Sequence, residues 1–151
     1  MKQITVPALI GASFLLAACS SDPKTVACPP LSAPEEGVRA MVLSDDARQA
    51  FAVRLNGVDA VCRAGKSGAV IMEIKLGLKL KRDLDANAAK DVVEIPILSA
   101  TVSPNGQVIT NDRMSFIAGF KKNEGLKYPV AEVSQTVPAD ARLVISLAPS
   151  Y

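Results

Sequence analysis

Histidine and tryptophan are both absent from the 151 residues of this chain. The lack of histidine excludes Ser-His-Asp and Cys-His catalysis, histidine-type metal sites and a histidine pH switch. The aromatic residues are four Phe and two Tyr, so side chains on which bases or sugars could stack are scarce. Lys and Arg total 17 against 15 for Asp and Glu, a net charge of +2. This balance argues against a nucleic-acid binder, which would carry a clustered basic surplus.

A short apolar segment opens the chain. Lys2 is the one charge that precedes it, and residues 4–18 carry none. The run contains on the order of a dozen apolar residues, whereas a membrane-spanning helix needs about 20. Its size and flanks are typical of a secretory signal peptide, so we assign residues 1–18 to one. An ordinary cleaved signal and an uncleaved anchor are the alternatives.

The end of that segment, Leu16-Ala17-Ala18-Cys19, resembles the lipobox of bacterial lipoproteins. The resemblance implies cleavage before Cys19, a diacylglycerol on its sulfur and an acyl chain such as palmitate on its new N-terminus. Two or more acyl chains anchor a protein stably, whereas one binds a membrane only marginally. Ser20 follows, and in enteric bacteria a serine there permits transfer to the outer membrane. The expected location is therefore the cell envelope, on the outer membrane, facing the periplasm or the cell surface.

Residues 19–35 are rich in proline and show no apolar period, which predicts an extended tether between lipid and folded domain. Once Cys19 is lipidated, Cys28 and Cys62 remain. In an oxidising envelope they most simply form one disulfide. A redox or metal pair is the alternative, but their spacing is far from C-x-x-C and no other soft ligand is present.

Residues 36–151 are predicted to form one all-β domain with about seven strands. The clearest strand runs from Met72 to Lys81, where apolar and polar residues alternate strictly. Asn56-Gly57 indicates a tight turn or a bulge, and Pro96 indicates an edge strand or a bulge. Seven short strands separated by turn residues favour an immunoglobulin-like or fibronectin type III-like sandwich. A small β-barrel is the alternative.

Basic residues form a stripe on the clearest strand: Lys75, Lys79, Lys81 and Arg82, joined in one interpretation by Lys121 and Lys122. Such a stripe could contact anionic lipid or an anionic polymer. The alternative is a solvated face that discourages pairing between strand edges.

One run of oxygen-bearing side chains has the spacing of a calcium loop. Its residues are Asp83, Asp85, Asn87, Asp91 and Glu94, at loop positions 1, 3, 5, 9 and 12. Ala88 stands where the loop needs glycine, and the flanking segments are predicted strands where the motif has helices. A solvated loop is the alternative. Apart from this calcium candidate, no cofactor is expected beyond the covalent lipid on Cys19.

The exported part resembles a group of small proteobacterial envelope lipoproteins that carry no assigned activity. The likeness lies in Cys28-Pro29, in Cys62, and in residues 95–97 and 102–108, which read IPI and VSPNGQV. The expected function is a non-enzymatic lipoprotein whose sandwich binds an envelope component, either a protein or a polymer, and no nucleic acid. A structural accessory subunit of a secretion or pilus-type complex is one alternative. A small hydrolase is another, opposed by the missing histidine and the absence of a nucleophile motif.

The lipobox predicts the chemical state of the mature N-terminus. Mass spectrometry of protein isolated from membranes should show a chain that begins at Cys19 and carries the mass of the lipid. A Cys19→Ala variant should keep residues 1–18, because the lipid and the cleavage both require the thiol. A native chain that retains Met1 and an unmodified Cys19 would contradict the assignment.

Overall fold

Two β-sheets packed face to face make up the described part of the chain. A computed structural model describes residues 24–44, 49–83 and 89–148. The sheets do not close into a barrel, so the predicted all-β sandwich is confirmed and the barrel alternative is wrong. No helix within these residues is long and apolar enough to cross a bilayer.

Nine strands lie in the described residues, and seven of them have five residues or more. They are β1 (Leu31–Ser32), β2 (Arg39–Leu43), β3 (Ala50–Ala64), β4 (Ala69–Arg82), β5 (Asp91–Val102), β6 (Val108–Phe120), β7 (Leu126–Lys127), β8 (Val130–Pro138) and β9 (Arg142–Leu147). Short 3-10 turns at Glu35–Gly37 and Lys66–Gly68 precede β2 and β4. The predicted number of strands therefore matches the seven longer ones.

The nine strands divide into two sheets with different edges. In sheet A the order is β2-β3-β4, and both β7 and β8 pair with the far side of β4. In sheet B the order is β1-β9-β5-β6. All pairings are antiparallel except that of β1 with β9. An isolated bridge between Ser44 and Val93 connects the two sheets near one end.

The core lies between the inward faces of β4, β5 and β9. Along β4 the even-numbered side chains are buried: Val70, Met72, Ile74, Leu76, Leu78 and Leu80. Successive side chains of a strand point to opposite faces, so the odd-numbered residues of β4 face outward. Burying an aliphatic side chain of this size contributes about 1.5–3 kcal/mol. The strict alternation predicted for this segment is confirmed.

A bulge interrupts β3 in its middle. Leu55 pairs with Leu78 and Gly57 pairs with Gly77, so Asn56 has no opposite residue on β4. A bulge inserts one residue and so shifts the alternation of faces. Before it, Ala52 and Arg54 face outward; beyond it, the outward positions are odd-numbered. Of the two predicted alternatives at this site, the structure shows the bulge.

Pro96 lies in β5, which is an interior strand with β6 on one side and β9 on the other. The prediction of an edge strand or a bulge at this proline is therefore wrong. The Pro96 carbonyl accepts a hydrogen bond of 3.0 Å from the Ala148 N–H, just beyond the last paired residue, Leu147. Because the proline nitrogen faces the end of β9, the sheet loses a single bond at the end of a ladder.

Residues 24–34 pack against the sandwich, although the sequence places them in a tether that extends to residue 35. The Val26 N–H donates to the Cys62 carbonyl at 3.0 Å, and the Leu143 N–H donates to the Pro30 carbonyl at 2.9 Å. Prolines lack N–H donors but keep their carbonyl acceptors, so a proline-rich segment can still join a sheet edge. The boundary predicted at residue 35 is wrong for this part of the chain.

A disulfide joins Cys28 to Cys62, as predicted, with 5.2 Å between the Cα atoms. Cys62 is 1% exposed in the core, whereas Cys28 lies in the exposed N-terminal segment. The bond therefore ties residues 24–28 to the outer edge of β3. Since 34 positions separate the two cysteines, closing the loop restricts the unfolded chain.

Replacing Cys28 with serine should lower the free energy of unfolding by about 3 kcal/mol, because the loop is no longer closed in the unfolded state. Cys62→Ser should cost more, since it also puts a hydroxyl into the core. Urea denaturation with and without reductant measures both effects. Equal unfolding midpoints for the native and the reduced protein would contradict a structural role for the bond.

Candidate functional site

Three basic side chains lie side by side across the outer face of sheet A. Arg39 of β2 is directly opposite Arg54 of β3, and Arg54 is directly opposite Lys79 of β4. The bulge beyond Leu55 leaves Arg54 on the outward face, where β2 and β4 present their own basic residues. Cross-strand partners lie about 5 Å apart at Cβ, so the three cations form one row.

A second row runs beside the first, from Met41 through Ala52 to Lys81. The two rows line a shallow depression of about 520 Å³ on the outer face. We call the four basic residues that line it, Arg39, Arg54, Lys79 and Lys81, the cationic face. An adjoining depression of about 620 Å³ extends past Lys81 to Leu126.

The cationic face has no ion-pair partner among the described residues. The ion pairs found there join Arg63 to Glu73 at 3.3 Å, Lys75 to Glu132 at 3.8 Å, and Lys127 to Glu124 at 3.9 Å. Of the described side chains that line the two depressions, Asp83 alone is acidic, and it lies after the end of β4. The face therefore carries a net positive charge.

The opposite arrangement occurs further along the same sheet. There Lys75 lies between Asp59 of β3 and Glu132 of β8, so the charges alternate across the three strands. Like charges directly opposite each other destabilise a sheet, whereas opposite charges stabilise it. The row from Arg39 to Lys79 thus lowers the stability of the fold, and the row at Lys75 does not.

Exposed apolar side chains surround the cationic face. Met41 is 55% exposed, Leu126 is 46% exposed and Tyr128 is 57% exposed. The Lys79 ammonium lies 5.9 Å from the centre of the Tyr128 ring. Leu126 is opposite Lys81 in the pairing of β4 with β7. The surface is therefore amphipathic, with cations at its centre and apolar groups at its sides.

Only part of the predicted basic stripe lies on this face. Lys79 and Lys81 belong to it, and Lys75 faces the same way but pairs with Glu132. The placement of Arg82 in the stripe is wrong, because it is 2% exposed on the inward side of β4. Alternation from Lys81 places the next residue on the opposite face, so the signal was available in the sequence.

Arg39 and Arg54 are the residues that sequence reasoning missed. Alternation within β2 and β3 indicates that they face outward, but it does not show which strands are neighbours. Lys121 and Lys122, considered as additions to the stripe, lie instead in the exposed turn after β6.

The buried Arg82 holds the connection between β6 and β7 against sheet A. Its Nε donates to the Glu124 carbonyl at 2.7 Å, its Nη2 to the Lys121 carbonyl at 2.7 Å, and its Nη1 to Gln49 Oε1 at 3.0 Å. Its Cζ also lies 5.2 Å from the centre of the Phe120 ring. A planar guanidinium can satisfy several carbonyls at once, which an ammonium cannot do in this geometry. The role of Arg82 is structural.

The calcium candidate is only partly visible. Asp85 and Asn87 lie outside the described residues, as does Cys19, the predicted lipidation site. Of the rest, Asp91 and Glu94 are three positions apart in β5, which places them on opposite faces of the strand. Asp91 Oδ1 accepts the N–H of Val92 at 2.8 Å. In residues 24–44, 49–83 and 89–148, no group of three or more Cys, Asp or Glu side chains could hold a metal ion.

Comparison with protein-family models, with curated proteins and with solved structures finds no match for this chain. Its function is therefore inferred from the geometry and charge of the residues described above.

Arg82→Met should lower the free energy of unfolding by about 2–4 kcal/mol, because two backbone carbonyls and the Gln49 amide lose their donor. Lys81→Met is the matched control on the opposite face of the same strand. That exposed change should stay within about 0.5 kcal/mol. Similar losses for both variants, measured by urea denaturation, would contradict the structural role assigned to Arg82.

Proposed function

We propose that this chain is a non-enzymatic lipoprotein of a bacterial cell envelope whose β-sandwich binds anionic lipid headgroups through the cationic face. The observation that carries the proposal is the row of directly opposed cations, Arg39, Arg54 and Lys79, with no acidic partner among the described residues.

A solvated surface accounts poorly for this row. Basic residues on edge strands discourage unwanted pairing, but Arg54 is paired on both sides, and Lys79 lies in β4, which pairs with β3 on one side and with β7 and β8 on the other. Alternating charges would keep the surface soluble without repulsion, as the row at Lys75 illustrates. An anionic ligand that binds the row would neutralise the three cations and so relieve the repulsion between them.

The apolar surroundings favour lipid headgroups over a soluble polymer. Met41, Leu126 and Tyr128 flank the cations, and such side chains can enter the boundary between headgroups and acyl chains. Each basic side chain near an anionic membrane surface contributes about 1 kcal/mol to binding. Four of them would reinforce a lipid anchor on Cys19, since stable anchoring commonly combines acyl chains with a basic patch.

The length of the predicted tether supports the same arrangement. Lys24 belongs to the described fold, since its carbonyl accepts the Ala64 N–H at 3.1 Å, and four residues lie between it and Cys19, the predicted lipidation site. The five Cα–Cα steps from Cys19 to Lys24 reach at most about 18 Å. The stretch of β3 from Ala64 back to Arg54 covers about 33 Å. The tether is thus shorter than the distance along β3 from Ala64, next to Lys24, to Arg54. If the sandwich lies with sheet A along the membrane, the cationic face and Lys24 are both close to the membrane surface.

A structural accessory subunit of a secretion or pilus-type complex is the second candidate. The observation that favours it is the outer edge of β6, with which no described strand pairs, because a free strand edge is a common site for adding a segment of another protein.

Vesicle sedimentation with the chain from Ser20 onward tests the lipid proposal. Vesicles that contain phosphatidylglycerol should bind the protein, pure phosphatidylcholine vesicles should not, and binding should weaken with added salt. Arg54→Gln with Lys79→Gln should reduce binding by about tenfold or more, since two basic groups are lost.

The matched control is Arg63→Gln with Lys75→Gln, which removes the same charge from the same sheet at ion-paired positions. It should bind almost as tightly as the native chain. If the two double variants lose vesicle binding equally, the net charge of the protein determines binding, and the assignment of the binding site to the cationic face is contradicted. Tighter binding to dextran sulfate than to the vesicles would indicate a polymer ligand.

A further inference from the structure

β6 differs from the other edge strands of the sandwich in its length and composition. It has 13 residues and no proline, and no strand among the described residues pairs with its outer side. The other edges are protected in ways that natural sheets use against unwanted pairing. Strand β1 has two residues, β2 has five, and β8 is bounded by Pro129 and Pro138.

The pairing of β5 with its neighbours shows which N–H and C=O groups of β6 point to the open side of that strand. Pro96 directs its carbonyl toward β9, where the Ala148 N–H binds it. Ser115 is directly opposite Pro96 in the pairing of β5 with β6. Opposite residues of an antiparallel pair point their N–H and C=O groups either toward each other or away from each other. Those of Ser115 therefore point away from β5, toward the open side.

The same direction applies to every second residue of β6, so the open side carries the N–H and C=O groups of Asn111, Arg113, Ser115 and Ile117. The site ends at Gly119, because the Lys127 ammonium donates to the carbonyl of that residue. Within the part of the chain that the structure describes, this leaves a continuous run of eight backbone groups without a partner, enough for one additional strand.

The side chains of β6 indicate what that strand should carry. On the inward face Met114 and Phe116 are only half-buried although they pack against the core, whereas Ala118 and Phe120 are fully buried. On the outward face Ile117 is 67% exposed. Arg113, also exposed, has no ion pair within the described residues.

We propose that β6 binds an extended segment of a partner protein as an added antiparallel strand, with two apolar side chains against Met114 and Phe116 and a carboxylate opposite Arg113. Read from its N-terminus, the segment carries an apolar residue, any residue, an apolar residue and then Asp or Glu. Its apolar groups cover the open flank of the core, and its carboxylate pairs with the exposed guanidinium. This site is separate from the cationic face and does not depend on lipid binding.

A second copy of the chain cannot supply the carboxylate opposite Arg113, because Asp112 is the one acidic residue of β6 and its side chain lies on the other face of the strand. Antiparallel pairing of β6 with itself in the register that places Ile109 opposite Ile117 also places Arg113 opposite Arg113. Like charges directly opposite each other destabilise the pair. We therefore assign the edge to a different chain.

Hydrogen exchange measured by NMR on the chain from Ser20 onward tests the proposal. The probe is the capped peptide Thr-Val-Thr-Val-Glu-Lys-Thr. At saturation it should slow exchange of the amides of Asn111, Arg113, Ser115 and Ile117 by about tenfold or more. The amides of Met114 and Phe116, already bonded to β5, should change little.

Two matched pairs establish specificity. A peptide with Lys in place of Glu should bind about three- to tenfold more weakly, and Arg113→Glu should reverse the preference. Ser115→Pro should abolish binding while keeping the fold, because its lost N–H faces the open side. If Ser115→Pro lowers the melting temperature substantially, the Arg113→Glu reversal decides the question instead.

Three outcomes would overturn the proposal. The first is unchanged exchange at the four amides with saturating peptide. The second is equal binding of the Glu and Lys peptides to both the native and the Arg113→Glu chains. The third is slow exchange at the four amides without peptide that depends on protein concentration, which would assign the edge to a second copy. None of these measurements uses lipid, so the proposal can fail independently of the proposed function.

Discussion

The two-residue period of β4 is the constraint on which the rest of the structure depends. This strand has neighbours on both sides in sheet A, and its inward residues from Val70 to Leu80 form the centre of the core. The same period that buries these residues turns Lys79 and Lys81 outward and Arg82 inward. One periodic segment therefore supplies the core, half of the cationic face and the buried guanidinium that holds the turn after β6.

The bulge at Asn56 determines which side chains of β3 accompany β4 on the outer face. It resets the alternation, so Arg54 lies beside Lys79 on one side of the bulge and Asp59 lies beside Lys75 on the other. The two halves of one face consequently differ in charge: one half alternates and the other is repulsive. Because stability alone would favour alternation throughout, the repulsive half is the feature on which the proposed binding of anionic headgroups depends.

Patterns within single segments were enough to predict much of the fold. Alternation identified the seven longer strands and the all-β class, and the compartment implied by the lipobox led to the pairing of Cys28 with Cys62. Three predictions failed for identifiable reasons. Arg82 was grouped with its charged neighbours although the even-numbered residues of β4, to which it belongs, face the core. Residues 24–34 have few donors but still pair through their carbonyls, and Pro96 is tolerated inside a sheet because its nitrogen faces the end of β9.

The sequence by itself determined which face of each strand is apolar and which two cysteines remain to form a disulfide, and it predicts, through the lipobox, where the chain is anchored. Those properties are local, because they depend on spacing within one segment. Only the tertiary structure decided that Arg39, Arg54 and Lys79 form a row and that no described strand pairs with the outer side of β6. Both depend on the order and register of strands far apart in the chain, which are set by the packing of the whole core and not by any single segment.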